Sequence, residues 1–98
     1  SWPTTKYYIN IFTTAPAYSG TSRTSCGKVG ENHTGTNPQY VFCRRWGDEV
    51  REGDDYNHWW LWTDLDTGGQ GWMPAYFIKG QGNDQADDIN TGQAIPEC

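Results

Sequence analysis

No stretch of this 98-residue sequence is apolar for long enough to cross a bilayer as a helix, and no window carries an apolar stripe at helical spacing. Basic charge is also scarce. Seven Lys and Arg stand against twelve Asp and Glu, a net charge of −5, and the basic residues are scattered. The one basic doublet, Arg44-Arg45, runs straight into the acidic stretch Asp48 to Asp55. Affinity for nucleic acid rests on clustered cations, so nucleic acid is excluded as an expected partner, and the lack of a spanning segment sets aside a membrane. Catalytic signatures are missing too. There is no Gly-x-Ser-x-Gly, no HExxH and no pair of CxxC, and His33 and His58 have no nucleophile or carboxylate at a catalytic spacing. The expectation is a non-enzyme without cofactor or metal. Asn83, Asp84, Asp87, Asp88 and Asn90 offer oxygens, but their spacing misses the EF-hand loop and its closing bidentate Glu, so a solvated acidic tail is the better reading.

What the chain does have is rings. Only 35% of it is apolar, yet it holds six Trp, six Tyr and three Phe. Each large ring removes roughly 150–250 Å² from water, so a few of them build a core that aliphatic residues would need greater numbers to fill. Twelve Gly and five Pro interrupt the chain too often for long helices and suit short strands and turns. The class is all-β, in one domain. Residues 1–5 read as a flexible lead-in, 6–80 as the body and 81–98 as an extended tail. Strands are expected over Lys6 to Phe12, near Val29, over Gln39 to Trp46, His58 to Leu65 and Trp72 to Lys79. Thr13 to Thr24 and Gly47 to Asn57 read as loops, and Asp66 to Gly71 as a tight glycine turn.

Three cysteines are an odd number. A Cys at the final position has little to pack against, so Cys98 is expected in a disulfide that pins the tail and implies an oxidising, extracellular setting. Cys43 is the preferred partner because it ends the strongly β-forming run Tyr40-Val41-Phe42-Cys43; Cys26–Cys98 and Cys26–Cys43 are the alternatives. The leftover Cys26 is either buried and inert or linked to a second chain, so the expectation is a monomer with a Cys26-linked dimer as its alternative. No leader segment opens the chain, as in a processed secreted protein.

The segment His58 to Ile78, HWWLWTDLDTGGQGWMPAYFI, resembles the second half of an SH3 domain without gaps. The equivalents are the pair Trp59-Trp60, the glycine turn Gly68 to Gly71, Trp72-Met73, the Pro74-Ala75-Tyr76 step into a short 3₁₀ turn, and Phe77-Ile78. Earlier in the chain, Ile9-Asn10-Ile11 with Pro16, and Gly35-Thr36 before Tyr40 to Cys43, are similar to the bacterial SH3-like (SH3b) branch. The likeness spans residues 9 to 79 and is specific in its last third. Two positions depart from it: Phe12 stands where the bacterial branch usually has Arg, and Thr13 to Ser25 lacks the acids of a peptide-binding specificity loop.

The resemblance implies a small SH3-like barrel of five to six short strands whose lumen is filled by side chains. It also implies a groove formed by Trp59, Trp72, Pro74, Tyr76 and Phe77, with Trp60, Trp62, Met73 and Ile78 as core. Rigid rings beside a fixed proline make a preformed surface for stacking on sugars, proline rings or peptide side chains. The acidic stretch Asp48 to Asp55 favours cationic groups such as free amines on wall peptides. The implied function is that of a secreted, non-catalytic module for a cell-wall polymer or peptide, peptidoglycan first. The alternative is a stand-alone inhibitor or effector that binds another protein such as a protease. Asn32-His33-Thr34 fits a glycosylation sequon, which has no meaning in a bacterial chain.

Overall fold

The structure, a computed structural model, describes residues 2–98; Ser1 lies outside the described residues. Seven strands follow in order: β1 (Tyr7–Ile9), β2 (Ala15–Tyr18), β3 (Lys28–Asn32), β4 (Gln39–Val41), β5 (Cys43–Glu52), β6 (Asp55–Asp64) and β7 (Gln70–Pro74). Two 3₁₀ turns, Thr34–Thr36 and Ala75–Phe77, complete the regular structure. The fold is all-β. β1 pairs with β4 in a two-stranded sheet, and the other five form a sheet ordered β3-β2-β7-β6-β5.

The expected barrel of five to six strands is not closed: seven strands lie in two sheets. Phe42 is the corner where the chain leaves the small sheet for the large one, and its N–H donates to Trp62 O at 2.9 Å. On the opposite side Pro74 ends β7, so the two sheets meet there through the single bridge Ile11–Ile78 and bonds such as Phe12 N–H to Phe77 O at 3.2 Å. A ladder cannot run through that junction.

Between the sheets lies the main core: Ile9, Ile11, Val41 and Ile78 against Ala15, Ala17, Leu61 and Met73. A second, smaller cluster of Val50, Trp60 and Trp72 covers the other face of the large sheet. β6 therefore buries side chains on both faces, which explains its unbroken apolar run Trp59-Trp60-Leu61-Trp62. The sequon residue Asn32 is fully buried in this body, with Oδ1 accepting from Asp66 N–H at 2.7 Å.

The tail belongs to the fold. Its end is bonded by Cys43–Cys98, the preferred of the three pairings. The bridge is not the tail's only tie, because Ala86 and Ile95 are fully buried in the main core. Beside β5, Arg44 N–H donates to Pro96 O at 2.8 Å and Cys98 N–H to Arg44 O at 2.9 Å, so the tail covers an otherwise open sheet edge. The oxygens of Asn83, Asp84 and Asp88 are spent on backbone N–H groups of the body rather than on solvent.

Asp88, 4% exposed, accepts from Tyr8 N–H at 2.8 Å and from the Thr91 N–H and hydroxyl at 3.0 and 2.9 Å. Burial pushes its pKa up, but these hydrogen bonds to the charged form outweigh burial and hold it below the ordinary value of 3.8. A carboxylate with a depressed folded-state pKa contributes stability that is present above its unfolded value and lost as pH falls through the folded one. Asp88→Ala, by stranding the Tyr8 and Thr91 donors, should cost roughly 1–3 kcal/mol at neutral pH. It should also flatten the fall in stability below about pH 4. Thermal melts of both proteins across that range check this, and parallel pH profiles would remove Asp88 as the tail's anchor.

Candidate functional site

The five groove residues expected from the resemblance do not share one surface. In the ladder Trp60 faces Pro74 and Trp62 faces Trp72, so these four side chains share the outer face of the large sheet. Trp59 points the other way, towards the main core, half-buried under the Arg44 guanidinium 3.7 Å above its ring and with Trp46 edge-on at 5.0 Å. Pro74 and Trp72 are buried and have no ring face free for a ligand. Trp72 owes this partly to Trp2, whose indole stacks on Trp62 at 4.8 Å and lies edge-on to Trp72 at 5.6 Å. The lead-in is thus partly docked: Trp2 contacts Trp62, and Arg45 approaches both Trp2 and Trp72.

Tyr76 and Phe77 sit in the 3₁₀ turn after Pro74 and diverge there. Tyr76 packs against the outer cluster and Phe77 against the main core. Between the turn, the start of β6 and the tail opens a pocket of about 200 Å³. Its rings are Phe12, Tyr56 and Tyr76, Asp55 is its one charged lining residue among the described residues, and Ala75 and Ile78 form its apolar part. Asn57, Gln81 and Asn83 complete the wall. Of the expected groove only Tyr76 reaches this pocket. Phe12, half exposed, stands edge-on to Tyr76 at 5.8 Å and stacks on Phe77 at 6.0 Å.

The wall is rigid because its amides are tied on both ends. Asn57 donates to Gln85 O and accepts from Trp59 N–H, both at 2.9 Å. Asn83 accepts from Tyr56 N–H at 2.9 Å and donates to Asp54 O at 3.0 Å. Gln81 exchanges two 2.8 Å bonds with the Asp87 backbone. The tail therefore builds one side of the pocket.

A row of rings leads away from the pocket along the β5–β6 hairpin. Tyr56 meets His58 edge-on at 6.1 Å, and His58 stacks on Trp46 at 4.5 Å with planes 8° apart. His58 Nδ1 lies 2.9 Å from Asp84 Oδ1, and its Nε2 lies 3.6 Å from Glu49. Trp46 is 51% exposed, an unusual place for an indole.

Phe12 and Tyr56 escaped the sequence reading, whereas Asp55 closes the acidic stretch expected to favour cationic groups. Phe12 carried a signal, since it replaces the usual Arg of the SH3b opening. Tyr56 carried none, because it lies in a charged stretch that reads as loop. Among the described residues no group of His, Cys, Asp and Glu side chains could hold a metal ion. No protein-family model, curated protein or solved structure matches the chain.

Proposed function

We propose that this domain is a secreted, non-catalytic binding module that takes a cell-wall polymer or peptide at the Phe12–Tyr56–Tyr76 pocket. The observation that carries the reading is the pocket itself, three rings and one carboxylate that has no ion-pair partner among the described residues, on a wall already fixed by hydrogen bonds. Preformed aromatic surfaces bind at low entropic cost, since few side chains must be ordered on contact. The disulfide is consistent with an oxidising, extracellular setting. Surplus negative charge suits a ligand with free amines, such as the peptide stems and bridges of peptidoglycan. The resemblance of residues 9 to 79 to the bacterial SH3-like branch, carried by Ile9-Asn10-Ile11 and Gly35-Thr36, supports the same ligand class.

Sedimentation with purified peptidoglycan tests the reading. The domain should pellet with the wall at low salt and be released as salt rises towards 1 M, where the Debye length is about 3 Å. Phe12→Ala with Tyr76→Ala should weaken binding by roughly 2 kcal/mol, about thirtyfold. Protein left in the supernatant at low salt would overturn the wall reading. Capture of a culture-supernatant protein through the same rings would then assign them to a protein partner.

A further inference from the structure

We propose that the pocket is a receptor for one protonated primary amine on an aliphatic stem, the chemistry of a lysine side chain. This deepens the reading above and rests on it for the ligand's source, though not for its chemistry.

The argument turns on which polar atoms the pocket leaves free. The side-chain amides of Asn57, Gln81 and Asn83 are consumed inside the protein. Among the described residues, no ion pair includes Asp55, and neither its carboxylate nor the Tyr56 and Tyr76 hydroxyls enter a hydrogen bond. The lining residues thus hold one free carboxylate, which only accepts, and two phenol hydroxyls, each able to accept or to donate. The carboxylate favours a cationic donor, and the hydroxyls can turn their lone pairs to the same group. An ammonium group has three N–H donors and no acceptor, and three acceptors on three separate side chains match it. A planar guanidinium fork matches two parallel acceptors better.

The rings favour the same guest, because the face of an aromatic ring attracts a cation. Tyr56 already does so within the domain, holding the Arg51 guanidinium at 4.4 Å over its ring while Glu49 pins that Arg at 2.7 Å. Phe12 and Tyr76, edge to face, supply further ring surface with no internal cation on it. The room is sufficient. About 200 Å³ equals roughly seven waters at about 30 Å³ each, enough for lysine's four-carbon stem and its nitrogen. The stem would run over Ala75 and Ile78, both held in the main core.

The test is an NMR titration of the intact, isotope-labelled domain with Nα-acetyl-lysine methylamide. The control is the norleucine counterpart, which keeps the stem and lacks the nitrogen. The lysine compound should shift the amides of Phe12, Tyr56, Asn57 and Gly82 with a dissociation constant on the order of 1 mM or weaker. The norleucine compound should bind about tenfold more weakly or worse, and Asp55→Asn, an exposed substitution, should lower lysine affinity by about as much. Phe12→Ala should weaken it too, with the rest of the spectrum unchanged. Equal binding of the norleucine compound, shifts that map elsewhere, or an arginine compound that binds as well would each overturn the assignment. Wall binding that persists while no amine shifts the pocket overturns this inference and leaves the wall reading standing. Amine binding without wall binding does the reverse.

Discussion

Replacing both Cys43 and Cys98 by Ala should lower the unfolding free energy by about 4 kcal/mol. The bridge joins residues 55 apart in sequence, and a loop of that size removes about 4 kcal/mol of freedom from the unfolded chain. For a domain of this length that corresponds to a fall in Tm of roughly 15–30 °C, read by calorimetry. Alanine rather than serine is the right replacement at Cys43, which is 1% exposed and would bury a serine hydroxyl. The variant's folded state should keep its tail docked, since Ala86, Ile95 and the Asp88 bonds do not depend on the sulfurs. Amide exchange at Ile89 and Ile95, whose N–H groups bond Tyr8 O and Ala86 O, would report this. A Tm within about 3 °C of the parent would mean the tail's packing already does the bridge's work.

Trp60→Ala should cost about 4 kcal/mol or more. Its indole is fully buried on the outer face with Val50 and Trp72, with Tyr18 edge-on at 5.9 Å. Its ring N–H donates to Asp48 O at 3.0 Å, so the substitution leaves both a cavity and an unpaired carbonyl. The neighbouring Trp59→Ala, at a half-buried ring under Arg44, should cost only roughly 1–2 kcal/mol. Urea denaturation of the pair separates them. Equal losses would contradict the assignment of Trp60 to the second cluster and Trp59 to the rim of the first.

That pair also marks how far the sequence could be read. Residues 58–78 gave the strand, the glycine turn and the 3₁₀ turn after Pro74 because their turn chemistry is local: Gly68 and Gly69 adopt φ values of 100° and 72°. Which of two adjacent tryptophans faces a ligand is not local. Both faces of β6 are covered, so a hydrophobic run carries no phase, and the family likeness assigned Trp59 to a groove that the register does not form. Trp72 was lost from the candidate surface to Trp2, a contact between distant parts of the chain. β2 reads as loop in the sequence because Thr13 to Thr24 is small and polar and contains Pro16 and Gly20. It exists because β3 pairs along it, while β7 meets it only at Tyr18, leaving the missing N–H of Pro16 without consequence. The acidic stretch became a hairpin for a related reason. Its side chains are mostly exposed and show no alternation, and the two-residue turn at Gly53-Asp54, with Gly53 at φ 62°, sets the pairing through the backbone. Asp55 and Tyr56 reached the pocket through that turn.

The bridge between Cys43 and Cys98 has a mechanical meaning as well. A force applied across the two ends of the domain enters at Cys98 and passes directly to Cys43, so the intervening chain carries no load. Only the first 43 residues can be drawn out, an extension limit of roughly 150 Å where an unbridged chain of 98 would reach roughly 340 Å. β5, β6, β7 and the tail side of the pocket all lie inside the shielded loop, while Phe12 lies outside it. Drawing out that segment takes Phe12 from the pocket and Ile9, Ile11, Ala15, Ala17 and Val41 from the main core, while Asp55, Tyr56 and Tyr76 stay within one covalently closed loop.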